Sequence, residues 1–359
     1  MPAQYLGAYN GTLPQHEASG KLIVDFSRNP KAFALPKYCQ YVPTKKTGQM
    51  ERSNQGIWYR MNLDEAVRLP DATGKHMAWA DGDPRPQGVV NEKFEPQTFR
   101  TQRHAPGFEI GYDTAKSPTW NVIAQRNRMT CSQLMTLRTA QAVTILTTSG
   151  NHQSGHVESV AAANTTVGTQ GPWTASTAVR QDIKKSLMYA INKINLETNG
   201  VVQAKDLQLV IQREDASKIS ATQEISDFVK SSPDAAYYVD GKFLGQDLTD
   251  TAGLPRRLHG VEVVIEDAVK NTAKKGATTA KSRIWPSGSA VLTSRPGELE
   301  AEYDEAPSFS SLTCFLREEL NIEMKDDSWN RRHLGSVVDD YIIVFTAPVA
   351  SFLFEGIVG

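Results

Sequence analysis

The residues that come nearest to a catalytic word are His156-Val157-Glu158, with His152 just upstream. A histidine and a glutamate so spaced can open a zinc site in which the imidazole holds the metal and the carboxylate moves a proton of the activated water. A downstream Pro-Cys-x-x-Cys must complete that site. The only later cysteine is the isolated Cys314, so no metal is expected, and these histidines read as solvated loop residues. A phosphate-cradling loop needs glycine five positions ahead of Gly-Lys, so that backbone amides curl around the anion. Leu69 stands there before Gly74-Lys75, and Gly241-Lys242 lacks the glycine too. No Gly-x-Ser-x-Gly elbow is present to expose a serine nucleophile. The residues therefore name no catalytic group, cofactor or metal.

Two charge patterns say more. In ELEAEYDE, Glu298, Glu300, Glu302 and Asp304 alternate with Leu299, Ala301 and Tyr303, which sets four carboxylates along one face of an extended strand. Such a face cannot be buried unpaired. It is either solvated or laid against a basic surface. Lys270, Lys274, Lys275, Lys281 and Arg283 offer one, in a stretch of Lys, Gly, Ala and Thr whose composition reads as a flexible loop.

The whole chain is nearly neutral, with 39 Lys plus Arg against 40 Asp plus Glu in 359 residues. It lacks the basic excess of a protein that wraps nucleic acid by neutralising phosphates. Its length allows roughly two domains and a sizeable core. Cys39, Cys131 and Cys314 are odd in number and widely spaced, which argues against a disulfide framework and for small buried apolar residues. No apolar run approaches the roughly 20 residues needed to cross a bilayer, and the first residues have neither a basic start nor an apolar core.

The elements that must position these groups are legible as periodicities. Ile183, Leu187, Ala190, Ile191 and Ile194 share one helical face, and Asn199-Gly200 supplies a left-handed stop. LQLVIQ, from Leu207, reads as a strand with one buried face. A single helix is expected from Ala216 to Lys230, with Ala221, Ile225, Phe228 and Val229 on one side and Pro233 beyond its end. Val261, Val263 and Ile265 alternate as a strand, and Ser289 to Gly297 reads as another closed by Pro-Gly. The longest periodic element runs from about Pro118 to Thr148, where Cys131, Leu134, Met135, Ala142, Ile145 and Leu146 form one stripe. That stripe would equally serve as the core helix of any α/β protein.

Upstream, residues 1 to about 40 hold one short apolar run, Leu22-Ile23-Val24, and cannot fold alone. GIWYRMNL and KFEPQTFRTQ read as two strands of a long hairpin, separated by turn-rich sequence around Asp71 to Gly88. A projection of that kind is marginal alone in water. Polar loop sequence then leads to a change of domain near Gly171-Pro172.

The pieces SLMYAINKINLETNG, LVIQREDASKISATQEISDFVK, GLPRRLHGVEVVIEDAV and SAVLTSRPG resemble, in wording and order, stretches of tailed-phage major capsid proteins of the Hong Kong 97 type. The resemblance implies an α/β (α+β) Hong Kong 97-like fold. It divides the chain into an N-terminal arm (1–41), an extended hairpin or E-loop (42–112), a peripheral domain with a long spine helix (113–172), an axial domain (173–325) and C-terminal strands returning to the sheet (326–359). The last would include the pieces around Val337 to Thr346. It also implies a structural, non-enzymatic role: pentamers and hexamers of the chain form an icosahedral virion shell around double-stranded DNA, bound without sequence specificity and without a membrane. Assembly in the host cytoplasm, a portal and possibly a decoration protein belong to the same expectation. Because the arm-like stretch begins almost at Met1, a separate scaffolding protein, or assembly without one, is expected. Trp58, Tyr59 and Trp79 become candidate anchors of the hairpin on a neighbouring subunit, and Lys270, Lys274 and Lys275 candidate partners of Glu298, Glu300 and Glu302 across an interface. An encapsulin-type compartment around a cargo enzyme shares the fold, and a soluble α/β enzyme with an unrecognised site is the remaining alternative.

Overall fold

The computed structural model describes residues 28–29, 32–44, 54–61, 94–116, 121–174, 182–230, 242–243, 246–247, 251–274, 277–296 and 310–359. Two sheets organise them. The first has six strands in the order Arg257–Leu258, Val261–Glu266, Leu207–Gln212, Ser289–Ser294, Ser351–Glu355, Val157–Ser159. The second has five: Gln40–Pro43 runs parallel to Leu312–Asp327, which pairs antiparallel with Arg332–Phe345, and that strand takes both Gln102–His104 and Gly107–Gly111 on its other edge.

Side-chain alternation in the six-stranded sheet feeds two cores. Leu209, Ile211, Leu292, Phe352 and Phe354 face a cluster built on Ile183, Leu187, Ala190, Ile191 and Ile194 of the helix Asp182–Glu197. Val210, Val264, Val291 and Leu353 point the other way, into a cluster shared with the long helix Val122–Leu146 and with Leu312, Cys314, Leu316 and Ile343 of the second sheet. All six residues of Leu207–Gln212 are consequently buried, which corrects the expectation of a strand with one buried face. The second face is covered because the two sheets share a core. That arrangement is not visible in one strand's alternation.

Asn121 caps the long helix by accepting the Ala124 amide at 2.9 Å. Its threonines are reconciled with helical backbone by back-bonding: the hydroxyls of Thr130, Thr136, Thr139 and Thr144 each donate to the carbonyl four residues earlier. Leu134, Met135, Ala142 and Leu146 of the predicted stripe are buried, and Cys131 and Ile145 are half-buried. The helix Asp182–Glu197 starts against Glu224, whose carboxylate accepts the Ile183 and Lys184 amides at 3.1 Å each and so places negative charge at the positive end of the helix. It stops as expected: Asn199 and Gly200 adopt φ of 56° and 80°, and the Gly200 amide returns to the Asn195 carbonyl.

Three expectations are corrected by packing. The helix expected from Ala216 to Lys230 is two helices, Arg213–Ser220 and Gln223–Lys230. Between them the Ala221 and Thr222 amides make tight bonds to Lys218 and Ile219, and the Thr222 hydroxyl also takes the Ile219 carbonyl. The second helix turns accordingly, and Phe228 is exposed instead of joining Ile225 and Val229. The stretch Val337 to Thr346 lies mostly within Arg332–Phe345, in the five-stranded sheet; it is Ser351–Glu355 that enters the six-stranded one. Finally, the segment read as unable to order without a partner ends in this chain's own core. Phe33, Leu35, Tyr38 and Cys39 are buried, and the Tyr38 hydroxyl donates to Glu266 at 2.8 Å.

The strands Gln55–Met61 and Phe94–Arg100 pair antiparallel, with Gln55 opposite Arg100 and Met61 opposite Phe94. Residues 62–93, which connect them, lie outside the described residues. At the root, the Phe99 ring lies over Gly56, where a Cβ would come within 2.3 Å of it, and stacks on Phe315 with centroids 4.0 Å apart.

Candidate functional site

His152 and His156 are not solvated. The strand Ser351–Glu355 covers them: His152 Nε2 lies 2.7 Å from the Leu146 carbonyl and Nδ1 3.1 Å from the Ser351 hydroxyl, while His156 Nδ1 lies 2.7 Å from the Ser351 carbonyl. His156 Nε2 meets Glu197 at 2.7 Å, and the ring is fully buried. Burial lowers the His152 pKa, favouring neutral imidazole. These rings tie the end of the long helix to the C-terminal strand. Both nitrogens of each ring are engaged, and among the described residues no three His, Cys, Asp or Glu side chains form a group that could hold a metal.

Glu158, the carboxylate of the motif, is buried as well. It is 3% exposed on Val157–Ser159, and burial raises its carboxyl to about 7, with the hydroxyls of Ser186 and Thr169 offsetting part of that rise. The cluster is a structural clasp with one carboxyl that titrates near neutrality.

A second buried polar cluster was hidden in an apolar stripe. Arg138 lies one turn from both Leu134 and Ala142 on the long helix and is wholly buried. Its guanidinium meets Asp339 at 2.5 Å and Glu319 at 3.3 Å, and lies 4.9 Å from the centroid of Tyr341 and 5.5 Å from that of Tyr41. Burial opposes its charge most strongly, but Asp339, Cys314 and Tyr41 together outweigh that and hold the pKa above the ordinary arginine value. One side chain thereby joins the helix to three strands of the five-stranded sheet. A charged residue on the predicted core face was the only sequence signal for it.

The candidate contact residues fall into three groups. Tyr59 is 64% exposed, with Ile57 at 56%, on the face of Gln55–Met61 opposite half-buried Trp58. Lys270 lies in a small antiparallel ribbon, Val269–Asn271 with Lys281–Arg283, and Lys274 beyond the end of its first strand, in a stretch whose composition had suggested a flexible loop. Its register places Lys281 and Arg283 on one face and Lys270 on the other, so they do not form one basic surface. Asn271 steadies the ribbon by accepting the Ala273 and Ala280 amides, and Arg283 meets Glu214 at 3.3 Å and the Asp267 carbonyl at 2.9 Å. Trp79, Lys275, Glu298, Glu300 and Glu302 lie outside the described residues.

No family model matches this chain, and no curated protein matches it in sequence. Its backbone does match solved structures. A phage-related protein from Bordetella bronchiseptica RB50 superposes with a TM-score of 0.56 at 13% identity over 90% of this chain and 91% of that one. The capsid of cyanophage P-SCSP1u gives 0.54 at 11% identity over 99% and 98%. The fold is thus that of tailed-phage major capsid proteins, of the Hong Kong 97 type, as the sequence resemblance implied.

Proposed function

We propose that this chain is the shell subunit of a tailed-phage head: pentamers and hexamers of it close an icosahedral capsid around double-stranded DNA. The observation that carries the reading is a likeness to a cyanophage capsid structure that spans 99% of this chain. The near-neutral charge, 39 basic against 40 acidic residues, suits a container that holds DNA without wrapping it. No enzymatic step belongs to this role. The arm (1–41), the extended hairpin (42–112), the peripheral region (113–172), the axial region (173–325) and the C-terminal strands (326–359) are the parts we assign to it. A scaffolding protein, a portal and a decoration protein are the partners such a head would use, and the virion is its location. Among the described residues no helix is long and apolar enough to cross a membrane.

Within this reading, exposed Tyr59, with Trp58 and Trp79, serves as an anchor on the neighbouring subunit. Lys270, Lys274 and Lys275 meet carboxylates such as Glu298, Glu300 and Glu302 of a symmetry mate. Reversing Lys274 and Lys275 to Glu should weaken assembly and change its salt dependence.

The test is to express the chain and measure particle size by sedimentation and negative-stain imaging, then assay nuclease-protected DNA in particles from the native source. Icosahedra, tubes or capsomer rings, with protected double-stranded DNA in the native heads, are expected. Native particles holding a protein cargo and no DNA would indicate an encapsulin-type compartment, and a homogeneous monomer or dimer that a scaffolding protein from the same genome does not convert to shells would favour a soluble enzyme.

A further inference from the structure

The strand Leu312–Asp327 is longer than its cover. On one side it pairs with Arg332–Phe345, down to Asp327 opposite Arg332. On the other, Gln40–Pro43 pairs only with residues 313–316, and the Thr44 amide adds a bond to the Leu316 carbonyl. Among the described residues nothing pairs with 321–327 on that side, and residues 321–326 are all exposed. Every second residue of such an edge turns its amide and carbonyl outward, a template for another strand that charged side chains normally block. The edge is also held in shape. The turn beyond it, which carries exposed Trp329, is braced by Asp327, which accepts the Asn330 amide at 3.2 Å, the Asn330 side-chain nitrogen at 2.8 Å and Arg332 Nε at 3.0 Å. The Tyr112 amide donates to the Arg331 carbonyl and its hydroxyl to Asp326, which also meets His333 at 3.2 Å. A strand so fixed loses little freedom when it pairs.

The order of side chains along this edge selects its partner. Ile322, Met324 and Asp326 share one face, where Ile322 is 47% and Met324 44% exposed. Asn321, Glu323 and Lys325 share the other, and neither Glu323 nor Lys325 has an ion-pair partner among the described residues. Two copies of the edge can pair antiparallel about a two-fold axis normal to the sheet. Such an axis keeps each side chain on its own face, so the pairing must centre on a residue. Centred on Glu323 or on Lys325, it sets like charges directly opposite each other, which is destabilising. Centred on Ile322 it runs into the irregularity at Leu320, where φ is 43°, and centred on Asp326 it runs into the turn. Centred on Met324, it sets Glu323 opposite Lys325 of the second copy and Lys325 opposite its Glu323. Met324 then meets its own counterpart on the other face.

We propose that residues 321–327 of two copies pair antiparallel about a two-fold axis at Met324, joining the two subunits into one continuous sheet. The inference rests on the shell reading above, to which it adds a contact between copies. Backbone bonds along the edge supply the attachment, and the two Glu323–Lys325 pairs with the Met324 contact fix the register. The same patch serves both subunits, so the contact is isologous and closes on itself as a pair.

The experiment uses the full chain. Glu323→Lys and Lys325→Glu, each made alone, turn both attractions at the axis into repulsions and should weaken association of copies, read by sedimentation, by about tenfold. Their melting temperature should stay at the wild-type value, because both side chains are exposed. The double variant Glu323→Lys with Lys325→Glu sets opposite charges face to face again and should restore association. Met324→Cys, assembled and oxidised with diamide, should give a disulfide-linked dimer, since residues directly opposite on antiparallel strands come close enough for the bond. Cys39 and Cys314 are buried, and half-buried Cys131 sets the background read from the wild type. A double variant as weak as the single ones, single reversals that associate like wild type, or no Met324→Cys dimer would each overturn the contact, and wild-type shells would leave the shell reading intact. Single reversals that release a different protein from native particles, with self-association untouched, would assign the edge to that partner and overturn the contact too. A Met324→Cys dimer from a chain that builds no shell even with the scaffolding protein of its genome keeps the contact and removes the shell reading. A chain that stays monomeric removes both.

Discussion

The two ends of one hairpin live in different environments. Leu312, Thr313, Cys314, Phe315 and Leu316 are all buried, whereas Asn321 to Asp326 of the same strand are exposed. At the buried end the strand lies between Gln40–Pro43 and Arg332–Phe345 beneath the long helix, with Arg138 locked to Asp339. At the far end it pairs with Arg332–Phe345, whose other edge takes Gly107–Gly111, and its order comes from short polar contacts around Asp327 and Tyr112. The change falls where the register slips between Leu316 and Asn321, with Leu320 at φ 43°. The difference teaches that one end is made to hold the subunit together and the other to remain available. Stability and assembly should therefore separate along a single strand.

The largest effect should come from the buried end. Arg138→Ala leaves Asp339 uncompensated in the core and should cost about 3–5 kcal/mol, whereas removing both charges with apolar residues, as in Arg138→Met with Asp339→Leu, should cost much less. Urea unfolding of the two variants decides it, and equal losses would mean that the contact matters through volume alone. Next comes Glu158. Its carboxyl is raised from 4.5 to about 7 in the folded chain, so the folded state retains a proton that the unfolded state releases between those values. Stability present at low pH is then lost as pH rises through that window. Glu158→Gln should be more stable than wild type by about 1–3 kcal/mol at pH 8 and little different at pH 4. A difference independent of pH would show that the side chain is not titrating there.

At the exposed end the same measurements should scarcely move. Trp329→Ala should alter unfolding by no more than about 0.5 kcal/mol, which is the sharpest form of the contrast. The smallest effect should be at the turn. Hydrogen bonds from the Asn330 side chain and from Arg332 hold the Asp327 carboxyl below its usual range, so the support it gives is present at neutral pH and fades as acid protonates it. Hydrogen exchange at the Asn330 amide should speed up at low pH ahead of the core amides; simultaneous acceleration would erase the distinction between the two ends.

Local chemistry was legible to the extent that neighbours in sequence decide it. The Ile183 to Ile194 stripe, the Asn199-Gly200 stop and the two hairpin strands beginning near Gly56 and Phe94 lie as their patterns required. What could not be read was which surfaces a distant strand would cover. His152 and His156 sit in a Gly, Ser and Asn-rich stretch that looks solvated, and they become buried because Ser351–Glu355, nearly 200 residues later, lies across them. The basic stretch from Lys270 to Arg283 reads as flexible because glycine and threonine are frequent in it, yet at its two ends Val269–Asn271 pairs with Lys281–Arg283, which puts Lys270 on one face and Lys281 and Arg283 on the other. Arg138 stood among core positions in plain view, but its partners Asp339 and Glu319 come from remote strands.

The sequence by itself determined the helix stripes, the caps and turns, the strand-forming runs and the absence of a recognisable catalytic word, because these depend on side-chain period and on the backbone preferences of adjacent residues. Tertiary structure alone decided that Leu207–Gln212 is buried on both faces, that the histidines form a clasp, and that Trp329 stands in solvent. Burial is a property of what lies opposite in space, and in a chain whose two sheets share one core those opposites are hundreds of residues apart.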